Sequence, residues 1–148
     1  MSSKNPLGEK FNATVSVTTA AKRVSLRDCS GVVFLLTNST GATAMTITEA
    51  NAASGGTSQA CPGIAVGTPY FTQAAGTGVW TANVTTVASQ ITTSINGAGA
   101  LHAIFVPQGA LSDGFSYLAA SHATGSIIYL LSDLDVQRYL PNLRDVTA

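Results

Sequence analysis

The stretch Val32-Val33-Phe34-Leu35-Leu36-Thr37-Asn38-Ser39-Thr40-Gly41-Ala42-Thr43-Ala44-Met45-Thr46-Ile47-Thr48 governs the reading of the whole chain. Val32–Thr37 is a strand-length apolar run, the pattern of a strand that is central in its sheet or covered on both faces. Asn38-Ser39-Thr40-Gly41 is built from residues that turns use for backbone and side-chain reasons. Beyond it Met45 and Ile47 alternate with threonines, the period of a half-buried strand with those two side chains inward. Strand, tight turn and strand in immediate succession describe antiparallel neighbours, so the chain starts as a meander.

The same grammar continues in both directions. Upstream, Ala13–Thr19 alternates, with Ala13, Val15 and Val17 on one face and Thr14, Ser16 and Thr18 on the other. Lys22–Asp28 alternates again, Val24 and Leu26 inward and Arg23, Ser25 and Arg27 outward. Downstream, Asn51–Gly67 reads as a long loop with room for a short helical turn. Thr68–Thr72, Val79–Thr81, Leu101–Val106 (halted by Pro107), Phe115–Ala119 and above all Ser126–Ser132 read as strands, separated by turns at Gly76–Gly78, Ser112–Gly114 and Ala123–Gly125. Val84–Ile95 carries apolar residues at helical spacing, with Asn83 placed to cap and Asn96-Gly97 to stop. Its density of threonine favours a strand or an irregular path instead.

Many short strands with turn punctuation and little helix predict an all-β fold. The expectation is a single-domain antiparallel β-sandwich or barrel over residues 13–135, with extended N- and C-terminal arms at 1–12 and 136–148.

Charge narrows the function classes. Only 9% of the 148 residues are charged, against a usual value of about 25%. No Asp, Glu, Lys or Arg occurs from Ala50 to Ser112, and Glu49 alone interrupts the gap back to Asp28. The formal net charge is zero, which removes any general pull toward nucleic acid and favours association. No apolar run approaches the roughly 20 residues of a membrane-spanning helix. The polar start Met-Ser-Ser-Lys-Asn-Pro lacks a secretory signal and suggests synthesis in the cytoplasm. Cys29 and Cys61 in such a chain read as two free, buried thiols rather than a disulfide.

Candidate chemistry is thin. His102 and His122 read as satisfied or exposed imidazoles rather than ligands, because no cysteine or carboxylate clusters with them in sequence. Asp133 and Asp135 would share one side of a strand, yet nothing acidic nearby completes a calcium shell. No Gly-x-Ser-x-Gly elbow and no phosphate loop is present, and the glycine-rich stretches are turns. Tyr70 and Trp80 suit a sugar-stacking pair, although aromatics in an aromatic-poor β domain are usually core. Lys4, Lys10, Lys22, Arg23 and Arg27 form a modestly basic N-terminal third that either meets an acidic protein surface or is simply solvated. No metal or cofactor is expected, and an enzyme is the least favoured class.

Asp113-Gly114-Phe115-Ser116-Tyr117-Leu118, then Gly125 through Arg138, resembles the C-terminal part of head decoration, or cement, proteins of tailed bacteriophages. The tail Val136-Gln137-Arg138-Tyr139-Leu140-Pro141-Asn142-Leu143-Arg144 and the middle segments Glu49–Gly56, Pro69–Phe71 and Val79–Thr81 are similar too. The resemblance implies a non-enzymatic virion protein, made in the host cytoplasm and carried on the capsid surface. Its partners would be the major capsid protein and neighbouring copies of itself, as a homo-oligomer with a trimer among the options, and neither nucleic acid nor membrane. Lys4, Lys10, Arg23, Arg27, Arg138, Tyr139, Leu140, Pro141 and Arg144 are then the candidate contacts, with the arms adding strands to exposed edges of a neighbour. A tail-tube, neck or fibre-base subunit and a carbohydrate-binding β-sandwich are the alternatives.

Overall fold

A computed structural model describes residues 11–17, 21–41, 43–93, 95 and 97–134, with the side chains of 11, 12, 14, 16, 17, 133 and 134 left aside. Two antiparallel sheets pack face to face as a β-sandwich. The larger contains β1 (Phe11–Val17), β11 (Ser126–Leu134), β3 (Cys29–Thr37), β9 (Leu101–Pro107), β6 (Pro69–Gln73) and β7 (Trp80–Val84), side by side in that order. The smaller runs β2 (Val24–Ser25), β10 (Tyr117–Ser121), β4 (Ala44–Ala50), β5 (Ser58–Ala60). There β8 (Gln90–Thr92) pairs with Ala44–Thr46 of β4 while β5 pairs with Thr48–Ala50, so the two short strands share one edge of β4 end to end.

The strand that the opening stretch predicts is β3, third in its sheet between β11 and β9. The opening turn does not return the chain to β3's own sheet. It carries it across the sandwich, so β3 and β4 are opposed rather than paired. Their inward faces meet: Val32, Phe34 and Leu36 from β3 and Met45 and Ile47 from β4 are all fully buried. Val24, Leu26, Ile64, Ile91, Ile104, Leu118, Ile127 and Tyr129 complete one contiguous core, whose burial supplies most of the driving force for the fold.

Tyr129 ties the sheets together. Its ring stands edge-on to Phe34, centroids 4.9 Å apart, the geometry that ring quadrupoles favour. Its hydroxyl crosses to β10, donates to the Ala120 carbonyl and accepts from the Ala120 N–H, each at 3.1 Å. β2 runs beside β10 only at Tyr117 and Leu118, so the hydroxyl serves backbone groups beyond the reach of that short strand.

Over residues 84–93 the chain takes an irregular path and then the short strand β8 rather than a helix. Val87 bridges to Gln90, Ser89 adopts φ 60°, and β8 follows. The predicted loop at 51–67 holds the short strand β5, too polar and brief to stand out from its surroundings. Between β10 and β11, Gly125 has φ 84°, and a Cβ there would run into the Thr37 carbonyl oxygen. Cys29 and Cys61 are both buried and are not joined in a disulfide. No helix among the described residues is long and apolar enough to cross a membrane.

Candidate functional site

In an antiparallel sheet, directly paired residues share a face. One row can therefore be traced across the larger sheet: Val15, Ile128, Leu35, Ala103, Phe71 and Ala82, each paired with the next. The adjacent row runs Ala13, Leu130, Val33, Phe105. A third contains Leu101, Gln73 and Trp80 beside Thr37 and Ser126. All lie on the face turned away from the core, because their strand neighbours Phe34, Tyr129, Ile104 and Tyr70 point inward. The outward face of this sheet is thus apolar through its centre and holds no charged side chain at any of these positions.

The exposure is real at its corners. Val15 is 54% exposed, Phe105 48%, Phe71 and Trp80 45% each and Val84 57%. Val33, Leu35, Leu101, Ala103, Ile128 and Leu130 are half-buried by these neighbours. Phe105 is seated over Gly31, where an added Cβ would come within 2.7 Å of its ring and 2.6 Å of the Val106 carbonyl oxygen. A glycine under an aromatic flattens the face at that point.

The outward face of the smaller sheet is of the ordinary kind. Its rows read Ser25, Tyr117, Ala50, Ser58, then Ala119, Thr48, Ala60, then Ser121, Thr46, Gln90. Ala50 and Ala119 are buried there, and the rest is the mixture of hydroxyl, amide and small side chains that an antiparallel sheet packed on one side normally shows water. The contrast between the two outer faces sets the larger sheet apart as an interaction surface, since apolar patches of this extent on a folded chain mark contact with something else.

Four of the described groups able to do chemistry lie in the interior. Glu49 is fully buried on β4, where its carboxyl accepts from Gln59 Nε2 at 2.6 Å and from the Ser112 N–H at 2.9 Å. Burial raises the Cys61 thiol pKa, and the Glu49 charge adds to the rise. His122 is buried, with Nε2 at 2.7 Å from the Thr43 hydroxyl and Nδ1 at 2.6 Å from the Thr124 carbonyl. The Thr124 N–H also approaches Nδ1, at 3.1 Å, so both ring nitrogens have polar partners. His102 is fully buried on β9 with no partner for either ring nitrogen. Burial, and then the nearby His122, lowers its pKa below the ordinary 6.5. Of the two imidazoles only His122 matches the satisfied state expected from sequence. Among the described residues no group of three or more His, Cys, Asp or Glu is placed to hold a metal ion.

Several expectations change. The alternation of Ala13 and Val15 is present, but that face is exposed, because β1 lies at the sheet edge with those residues on the outward side. Tyr70 and Trp80 cannot stack on one ligand: Tyr70 is buried, its hydroxyl donating to the Thr92 carbonyl, while Trp80 faces outward. Arg23 is held by its own chain, its guanidinium donating to the carbonyls of Ala52 and Gly55. Arg27 is exposed just after β2. Arg23 thus serves the loop after β4 of the smaller sheet. Lys4, Lys10, Arg138, Tyr139, Leu140, Pro141 and Arg144, together with Asp135 and most of both predicted arms, lie outside the described residues.

The apolar face itself has a signal in the sequence. Val32–Leu36, Leu101–Val106 and Ile127–Leu131 are apolar at nearly every position rather than at alternate ones, so each must offer apolar side chains on both sides of its sheet. No protein-family model, curated protein or solved structure matches the chain.

Proposed function

We propose that the chain is a structural part of a phage virion, and in the first place a capsid decoration protein that binds and stabilises the shell of the major capsid protein. The observation that carries the reading is the charge-free apolar outer face of the six-stranded sheet, which suits burial against protein and suits no small charged substrate. The inward burial of Glu49, Cys61, His102 and His122 points the same way, because the groups best able to act as acid, base or nucleophile are spent on the core. The sandwich supplies a stiff body. Burying its apolar face in a larger assembly would use the same hydrophobic term that folds the domain. Repetition over a symmetric shell would then multiply a modest contact. The resemblance of residues 113–144 to cement proteins supplies the choice of shell.

The test is to mix the purified chain with shells assembled from the major capsid protein and sediment them. Saturable binding at a fixed ratio to shell subunits, with thermal disruption of the shell shifted upward, is the expected result. Binding to tails or to a neck complex instead would move the assignment to a tail-tube, neck or fibre-base subunit. Retention on an insoluble polysaccharide with no affinity for any virion part would replace it with a carbohydrate-binding module.

A further inference from the structure

We infer that the outer face of the six-stranded sheet is closed by the same face of a second copy of this chain, as a two-fold dimer packed sheet on sheet. The inference rests on the reading above only in taking this face as buried in an assembly; it makes a second copy the cover, which leaves attachment to a shell to other surfaces of the dimer.

Three observations select a second copy. The first is area. Six strands at about 4.8 Å spacing and about seven residues at about 3.4 Å rise give a footprint of roughly 700 Å². A standard protein interface buries about 800 Å² on each partner, so two such faces in register approach a complete interface unaided. The second is charge. Among the described residues the face has no charged side chain to leave unpaired, and the chain has zero formal net charge to oppose the approach of its copy. The third is shape. Bulky aromatics occupy one side of the face, with Phe105 on β9, Phe71 on β6 and Trp80 on β7, while Ala13 and Val15 on β1 and Val33 on β3 occupy the other. A two-fold axis along the strands, between β3 and β9, lays β7 and β6 of one copy over β1 and β11 of the other. Phe105 of one copy then lies over the smaller Val33 of the other and Val15 over the small Ala82, while Phe71 packs on the aliphatic Ile128 of β11. Val15 of one copy comes opposite Ala82 of its mate, because both stand in the same traced row at opposite edges.

The experiment is sedimentation equilibrium of the full chain, without shells, from about 1 to about 100 µM. The unmodified chain is expected to be dimeric through most of that range. Val15→Glu and Ala82→Lys, each alone, put a charge in the apolar contact and should weaken the dimer at least about tenfold. Thr48→Glu, on the polar face of the smaller sheet, should leave it unchanged. Far-UV circular dichroism confirms that each variant folds; both edge positions are exposed and need no repacking. Mixing Val15→Glu chains with Ala82→Lys chains should restore a dimer, because the proposed axis sets the new carboxylate against the new ammonium. A monomer at 100 µM overturns the inference, as does a dimer indifferent to both edge charges. Failure of the mixed pair to recover overturns the axis. A monomer that still saturates shells refutes this dimer and leaves the virion reading standing. A dimer with no affinity for any virion part does the reverse.

Discussion

Replacing Tyr129 with Phe removes one oxygen and tests whether the two sheets are joined by more than apolar contact. The ring keeps its edge-on packing against Phe34 at 4.9 Å, so little of the core volume changes. The loss is two hydrogen bonds of 3.1 Å to the N–H and carbonyl of Ala120. Ala120 is fully buried, so water does not readily replace the hydroxyl. A typical hydrogen bond contributes about 1 kcal/mol net, and a buried group left unsatisfied costs about 1–3 kcal/mol. The expected destabilisation is therefore about 2 kcal/mol. For a domain of this size each kcal/mol lowers Tm by about 2–4 °C, giving a fall of about 4–8 °C. Thermal melts and urea titrations at one fixed protein concentration measure it, since assembly would otherwise add to the apparent stability. The urea midpoint should drop with an unchanged slope. A Tm within about 1 °C of the parent would show that Tyr129 acts through its ring alone, and the account of a strand edge capped by a phenol would be wrong.

Three further perturbations probe the interior and the outer face. Burial holds the His102 pKa below 6.5 in the folded state, so the unfolded chain binds more protons below that pH. Stability should be complete above about 6.5 and fall on acidification by at most about 1.4 kcal/mol per pH unit; urea midpoints between pH 8 and 5 check this, and His102→Phe should flatten the profile relative to the parent. Glu49→Ala strands the Ser112 N–H and the Gln59 amide and should cost about 1–3 kcal/mol, with faster hydrogen exchange at Ser112; a change below about 0.5 kcal/mol contradicts the role given to that carboxyl. Gly31→Ala drives a methyl against the Val106 carbonyl and the Phe105 ring and should destabilise by about 1–3 kcal/mol, whereas an unchanged urea midpoint would mean the ring is not seated there.

Much of this fold is legible in the chain because a two-residue period is enough to sort side chains between faces. Met45, Ile47, Val24 and Leu26 all point inward as their alternation requires, and the apolar runs at 32–37, 101–106 and 126–132 became the three adjacent strands β3, β9 and β11. Three things are not legible. Alternation says that a strand has two faces and not what covers each, so the apolar side of Ala13–Thr19, with Val15 on it, reads as the half-buried side and is exposed. Sheet assignment depends on long-range pairing: the turn at Asn38–Gly41 looks like a hairpin, yet it crosses the sandwich. His102 and His122 carry no local sign that one bears on the other's charge state, because they lie twenty residues apart, one on β9 and the other just after β10 of the other sheet. Of the candidate site, the individual apolar residues were visible. Their union on one face required the register.

The distribution of polarity between the two outer faces bears on why so few charges suffice. A monomer in water can place polar side chains on both outward sheets, and the smaller sheet does so with Ser25, Ser58, Thr46, Thr48, Gln90 and Ser121. The larger sheet had the same option at Val15, Leu35, Phe71 and Phe105, where a threonine or glutamine fits a strand equally well. Its two edge strands, Phe11–Val17 and Trp80–Val84, also lack the lysine or proline that usually blunts a free edge. Apolar residues at solvent-facing positions weaken solubility and add nothing to the core already formed beneath them. Their presence is therefore costly to an isolated domain and useful to one whose outer sheet is the inner layer of something larger. On that view the absence of charge from Ala50 to Ser112 and the apolar outer face are one property: β6, β7 and β9 fall inside that stretch, and a lysine or glutamate on their outward positions would have to be desolvated each time the assembly formed.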